Sequence, residues 1–425
     1  MLNVPVFEVK PGIFRPVELS LLALLLIAVP ALEAPKNIFC ALFLLTWTIS
    51  RIRERNWGGP FDVWDALILF WITSGLVAAA FAGLPPRNWV NAMDPLRYGL
   101  VLLALKRSGY PIEILLRILV VTIGATLVTL MVGFWELYGS QRLAALELHS
   151  VGHVNHSAIY IAISFAMAVA IALSYWGAVS AFVRGLMAMA VAFLFVGILV
   201  SSSRGAIGAA LVAILILGIG FWKKLSRSAI MALVVCIVLV VAGVVSNPAV
   251  IKKHNDLADA SNAMSFRPPI WNVAMAAWHQ HPWTGVGPSN FSLITMERIK
   301  AWRKDSDPPI DEAKYFPFGH AHSVFFNTLA ERGTYGFAAL MLFLIAWTVD
   351  LIRKRPAGPS PHAAWAIWGA SVGALVIDVV AGAVNTTLHH EHAILSSVCI
   401  GCWLSQSRST PTVDSMRSSV ARTER

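Results

Sequence analysis

Apolar residues along this chain come in long runs separated by short polar punctuation. A helix crossing roughly 30 Å of hydrocarbon needs about 20 such residues. Runs near that length lie at about 17–33, 36–50, 62–83, 94–107, 111–138, 156–175, 180–201, 205–222, 228–246, 330–352, 363–384 and 393–406. They predict an all-α polytopic membrane protein of about twelve transmembrane helices. The second, fourth and twelfth runs are short. The first, from Val17, leads directly into further runs and reads as a span rather than a cleavable export signal.

The polar punctuation sets an orientation. Arg51, Arg53 and Arg55 form one cationic cluster, and Lys106 and Arg107 a second. Lys223, Lys224 and Arg227 form a third, and Arg353, Lys354 and Arg355 a fourth. Each is separated from the next by an even number of spans. Cytoplasmic loops retain excess Lys and Arg, so all four read as cytoplasmic, with both termini. The chain then divides into spans 1–9 (residues 1–246), a large periplasmic loop domain (247–321), spans 10–12 (322–406) and a cytoplasmic tail (407–425) carrying Arg408, Arg417, Arg422 and Arg425. The loop balances Lys and Arg against Asp and Glu. Helical patterning runs from Ile270 to Trp278 and from Phe291 to Trp302, with breakers at Pro268, Pro269, Pro282, Pro288, Pro308 and Pro309. A compact helical cap is expected. Smaller outer loops fall near 84–96, 139–155 and 385–392.

Composition supports this picture. Of 425 residues, 57% are hydrophobic and only 13% charged. A soluble fold must wet its outside and carries about 25% charge, so a soluble domain and a disordered chain are both excluded. The 16 Trp and 21 Phe suit bilayer interfaces. The net charge of +10 suggests nucleic acid in a soluble protein, but here it follows from cytoplasmic retention of cations. Cys40, Cys236, Cys399 and Cys402 all lie in apolar runs, which implies no disulfide framework. The Cys399–Cys402 spacing, with no second pair, is assigned no redox or metal role.

The residues that could carry chemistry gather at the outer ends of the spans. Arg204 closes Ser201-Ser202-Ser203-Arg204-Gly205, a tight junction between two spans where Gly205 can take the turn. It either snorkels or offers a planar fork to phosphate. Arg267 precedes Pro268 and Pro269, which can open a helix. The turn from His281 to Phe291 (HPWTGVGPSNF) reads as a loop stapled by Trp283 and Phe291, or as one whose Gly285 and Gly287 let backbone approach a ligand. Its spacing fits no nucleotide-binding loop. His320 and His322 stand just before the tenth span. A helix starting near Ser323 would keep His322 neutral, as a general base must be. The alternatives are an idle interfacial histidine or a metal ligand, with His389, His390, Glu391 and His392 nearby in the sequence of another outer loop. Asp305-Ser306-Asp307 is a DxD pattern beside two prolines and reads as a solvated turn.

In this order the pieces resemble the O-antigen ligase/polymerase superfamily, and within it O-antigen ligase. The resemblance rests on SSSRG (Ser201 to Gly205), Arg267 leading into HPWTGVGPSNF, HAHSVFFNTLAERGTYGF (His320 to Phe337) and the Gly152-His153-Val154-Asn155-His156 segment. It covers roughly residues 150–350; the first four spans match only in hydrophobicity. The family has Asn after its second His, where this chain has Ser323, and nothing is carried over there.

The resemblance implies the helical fold of C-type glycosyltransferases in a bacterial inner membrane, with the site facing the periplasm. It implies transfer of a glycan from undecaprenyl diphosphate to a sugar hydroxyl of lipid A–core. The family's essential His maps onto His322 and its diphosphate-binding arginines onto Arg204 and Arg267. His320, His281, Gly285, Gly287, Asn155 and His156 are candidates for supporting the substrate site. No cofactor, metal or nucleic acid is expected. The chemistry suits the residues: a lipid diphosphate leaves readily, guanidiniums meet its growing charge, and a base activates the weak nucleophile. With no carboxylate nucleophile evident, a single inverting displacement is expected.

Within the superfamily, an O-antigen polymerase or a protein O-oligosaccharyltransferase would use the same kind of donor. A lipid-linked glycan transporter is a reading from a different class. It should carry charges at the bilayer midplane in broken helices, where only Arg117 and Asp378 offer themselves, each near a span end.

Overall fold

The computed structural model describes residues 14–143, 145–224, 267–304, 310–358 and 360–409, with isolated positions between 225 and 243. Among these residues all regular structure is helical. Eight α-helices come first: α1 (Arg15–Ala31), α2 (Glu33–Glu54), α3 (Val63–Ala80), α4 (Trp89–Lys106), α5 (Ile112–Phe134), α6 (Val154–Tyr175), α7 (Ala181–Val200) and α8 (Arg204–Phe221). Two outer helices follow, α9 (Arg267–Gln280) and α10 (Met296–Trp302). Then come α11 (Val324–Arg353), α12 (His362–Val384) and α13 (His390–Ser409). Eleven of the twelve expected spans fall on α1–α8 and α11–α13; the ninth, at 228–246, lies outside the described residues, as do Cys236, Asp305 and Asp307.

By length and apolarity, seven of the described helices could cross a membrane: α3, α5, α6, α7, α8, α11 and α12. The short or charge-bearing α1, α2, α4 and α13 are not among them. Helices α6 and α12 form the centre. Both are buried around nearly their whole circumference, as expected of helices apolar on every face. Small residues let them approach: a Cβ built on Gly369 would stand 2.8 Å from Cβ of Ala170. Helix α7, by contrast, exposes Phe182, Leu186 and Met189 and packs only one side of itself.

One end of the span bundle gathers a dense set of ion pairs. Lys106 and Arg107 hold Asp65 at 2.6 Å each, and Arg408 holds Asp62 at 2.6 Å. Asp62 and Asp65 form a capping box at the start of α3. At the same end of the span bundle, Asp350 accepts from the indoles of Trp64 and Trp403 and pairs with Lys354. Arg355 donates to the carbonyl of Gly220 beside Lys224 and Trp365. The helix ends expected to be cytoplasmic thus lie together, and Arg204 and His322 stand at the opposite ends of their helices. A reporter fused near Asn290 is expected to read as periplasmic and one near Pro356 as cytoplasmic. A cytoplasmic Asn290 would dismantle the site described below.

Helix α11 is broken. Gly333 has φ 61° and ψ −163°, a conformation open to glycine. The break strands carbonyls and N–H groups, and the outer loop supplies their partners. Val286 and Gly287 N–H donate to the carbonyls of Ala330 and Glu331 (2.9 and 3.0 Å). Thr334 and Tyr335 N–H donate to the carbonyls of Pro282 and Trp283 (2.7 and 3.1 Å). The loop also pairs outward: Gly83 and Leu84 N–H donate to the carbonyls of Gly285 and Val286. A second, smaller core of Ile270, Val273, Ala277, Val286, Phe291 and Ile299 lies between α9, α10 and this break.

Several local expectations change. The helix expected from Phe291 to Trp302 is a 3₁₀ turn (Phe291–Leu293) followed by α10, because Thr295 caps a new start through the Arg298 N–H. Phe291 is fully buried, but Trp283 is 74% exposed and staples nothing. At the junction before α8 the turn is taken by Ser202, with φ 53°, and Gly205 is already helical, facing Val384.

Candidate functional site

Three elements bring the site together. Arg204 is the first residue of α8 and Arg267 the first of α9. Burial first, and then the charge of Arg204, lower the pKa of Arg267. Two cations at the positive ends of two helices are mutually unfavourable, and an anion placed between them relieves both. Helix N-termini and guanidiniums are both phosphate ligands.

His322 completes the group. It sits at φ 48°, a left-handed conformation that side chains other than glycine rarely adopt. Ser323 is the N-cap of α11, so the helix begins where the sequence places it. Burial, then His320 and Arg267, bring the His322 pKa down to about 4, against an opposing hydrogen bond from Asn385. The imidazole is therefore neutral at physiological pH. The Asn385 bond favours the charged ring, and it ties the imidazole to the 385–389 loop. Asn385 is itself anchored, since its carbonyl accepts from Val324 N–H at 3.0 Å. It also lies against Gly205, next to Arg204. Sequence reasoning did not find Asn385: an Asn in a loop sixty residues downstream carries no pattern of its own.

His320 lies beside His322, with ring centroids 4.1 Å apart and the rings tilted, and Phe318 meets both rings. The Ala321 N–H between them donates to Asn327 Oδ1 at 3.1 Å, fixing the loop. His156, at the start of α6, meets His392 at 3.1 Å and His390 at 4.7 Å between centroids. Asn155 lies beside it, its N–H bonded to His153 Nδ1 at 3.2 Å. These residues form a histidine-rich rim. Among the described residues, no group of three or more His, Cys, Asp or Glu side chains is arranged to hold a metal ion. Lys36 ties the rim down through a buried pair with Glu391.

His281, Gly285 and Gly287 are placed elsewhere. His281 packs against Gly83 and the Trp302 ring. A Cβ on Gly285 would fall 2.5 Å from the Ala330 carbonyl oxygen, and one on Gly287 2.6 Å from Cβ of Ala82. Gly285 admits backbone of the α11 break, and Gly287 admits Ala82 and the Asn290 side chain. The structure thus brings Arg204, Arg267, His320 and His322 together and leaves the 281–287 turn as their scaffold.

Residues 188–341 match the family model described as O-antigen ligase. The chain is similar to that family over a stretch that holds Arg204, Arg267, His320 and His322 and ends before Asn385 and the 389–392 rim. No curated protein matches the chain.

Proposed function

We propose that this protein is an O-antigen ligase, moving a glycan from undecaprenyl diphosphate to a sugar hydroxyl of lipid A–core at the periplasmic face of the bacterial inner membrane. The observation that carries the reading is the convergence of a neutral, oriented His322 with Arg204 and Arg267. Arg204, Arg267 and the first turn of α8 hold the donor diphosphate. As the anomeric C–O bond breaks, charge on the leaving diphosphate grows and the guanidiniums hold it more tightly. The free nitrogen of His322 takes the proton from the acceptor hydroxyl, whose oxygen attacks the anomeric carbon from the opposite face. The configuration inverts in one step, and the products are the lengthened glycolipid, the lipid diphosphate and a proton on His322.

Reconstitution with purified lipid-linked glycan and lipid A–core, with the product resolved on a gel, tests the proposal. A lengthened core lipid is expected. Lengthening of the lipid-linked glycan instead would make the protein a polymerase, and labelled lipid moved across the bilayer at unchanged mass would make it a transporter. The arginines supply the positive charge that a divalent ion would otherwise bring, so transfer is expected to survive a chelator. Loss in EDTA, restored by a divalent cation, would assign the histidine rim to a metal.

A further inference from the structure

A second polar cavity lies beside the histidine rim, under the break in α11. Its volume is about 40 Å³. A cavity of that size holds a few waters, the scale of a phosphoryl group. Asn91, Asn327, Thr328, Arg332, Thr386 and His389 bring polar groups to it.

Arg332 is the unexplained member. Its half-buried side chain doubles back over Gly336, where a Cβ would collide with it. Among the described residues no hydrogen bond or ion pair holds its guanidinium. The adjacent Glu331 lines the same cavity and acts on Arg332 through space, but its Oε1 accepts from Phe291 N–H at 3.4 Å rather than from the guanidinium. Asp94, the next nearest acid, pairs with Arg97 at 3.1 Å. A half-buried guanidinium with no bonded carboxylate keeps its planar fork available to an incoming anion. Thr386 Oγ1 is also buried with no hydrogen-bond partner among the described residues. His389 lines the same wall, and burial holds it neutral, so it brings a hydrogen bond rather than charge. The guanidinium, the Asn91 carboxamide and the Thr386 hydroxyl, with the Glu331 carboxyl held aside by Phe291 N–H and Asn327, surround a small void and form a receptor for an anion.

The place of the cavity says which substrate brings that anion. The loop from Asn385 to His389 has Asn385 on His322 and His389 on the cavity. Four residues span at most about 14 Å, a distance that one or two sugars cover. Arg267 acts on His322 at one end of this loop and Arg332 on His389 at the other. In an inverting displacement the attacking hydroxyl and the leaving diphosphate lie on opposite faces of the anomeric carbon. With the donor diphosphate on Arg204 and Arg267, the far cavity falls to the acceptor. Resting on the ligase reading above, we propose that Arg332, with Asn91, Thr386 and His389, binds a phosphoryl substituent on the acceptor glycolipid and so positions its hydroxyl for His322.

The test compares lipid A–core as isolated with the same material stripped of phosphate by aqueous hydrofluoric acid, at saturating donor, using wild type, Arg332→Gln and Arg332→Lys at matched membrane levels. For the intact acceptor, Arg332→Gln is expected to raise KM roughly ten- to a hundredfold with kcat nearly kept, and Arg332→Lys to recover part of the loss. Wild type should discriminate against stripped acceptor by a similar factor, and Arg332→Gln should not discriminate at all. The proposal is overturned if Arg332→Gln loses both acceptors equally, which makes Arg332 structural. It is overturned too if the variant raises the KM of the donor instead, which places the anion on the donor. Equal use of both acceptors by wild type removes the subsite and leaves the ligase reading standing. No transfer by wild type to either acceptor removes both.

Discussion

Replacing His322 with Ala is expected to lower transfer by about 10²- to 10⁴-fold, the usual worth of a general base, while membrane insertion and donor retention stay normal. The residue is held in a left-handed backbone position and its ring is bonded to Asn385, so the imidazole is fixed rather than free to rotate. The pH profile supplies an independent reading. Burial, His320 and Arg267 depress the His322 pKa to about 4. The basic form is therefore present above that value and lost as pH falls through it. The acid limb of kcat/KM, which reports the free enzyme, should lie near pH 4 rather than near the ordinary histidine value of about 6.5. A bound diphosphate offsets the charge of Arg267, so the acid limb of kcat should lie higher. His320→Ala should be milder, moving the limb upward by removing one of the depressing groups. A His322→Ala protein that binds donor poorly but turns over what it binds at the normal rate would make His322 a positioning residue. A fatal His320→Ala would make the other histidine the base.

Arg204→Ala and Arg267→Ala are each expected to cost on the order of a hundredfold or more in rate, the scale seen when a preorganised donor to a developing charge is removed. Lysine at either position keeps the charge but loses the planar two-pronged contact, and transfer should remain strongly impaired. Because the two guanidiniums act on each other and on one ligand, the double variant should lose less than the sum of the single losses. Single-turnover rates with preloaded donor separate these losses from weaker binding. Near-normal turnover by a well-expressed Arg267→Ala would show that the residue only anchors the start of α9.

Much of this was legible in the sequence because hydrophobic burial is a property of local composition. The runs at 111–138, 156–175 and 363–384 became α5, α6 and α12 with few changes, since apolar length alone decides them. Arg204, Arg267 and the His320–His322 pair are conspicuous as cations and imidazoles near helix starts, and the family resemblance singles out His322 of the pair. What remained hidden depends on contacts between distant segments. Gly333 is an ordinary residue in an apolar stretch until the 282–287 turn is seen threading the break it makes. Gly285 and Gly287 look like a ligand loop until Ala330 and Ala82 are found against them. Arg332 shows no role of its own in the sequence, where only Arg117 and Asp378 offer themselves as charges within the spans. Asn385 had no signal at all.

The spliced junction at Gly333 also bears on how the chain is made. The peptide groups that complete α11 come from residues 282–287, which are synthesised before it. In the expected topology that segment has already been delivered across the bilayer when α11 enters. The late helix is received by an existing partner, and its four broken backbone links need not face hydrocarbon unmade. The same chain order makes the outer loop a template for biogenesis as well as a scaffold. Lesions in the 282–287 turn should therefore surface first as failed insertion and degradation of the C-terminal spans, before any loss of chemistry could be measured.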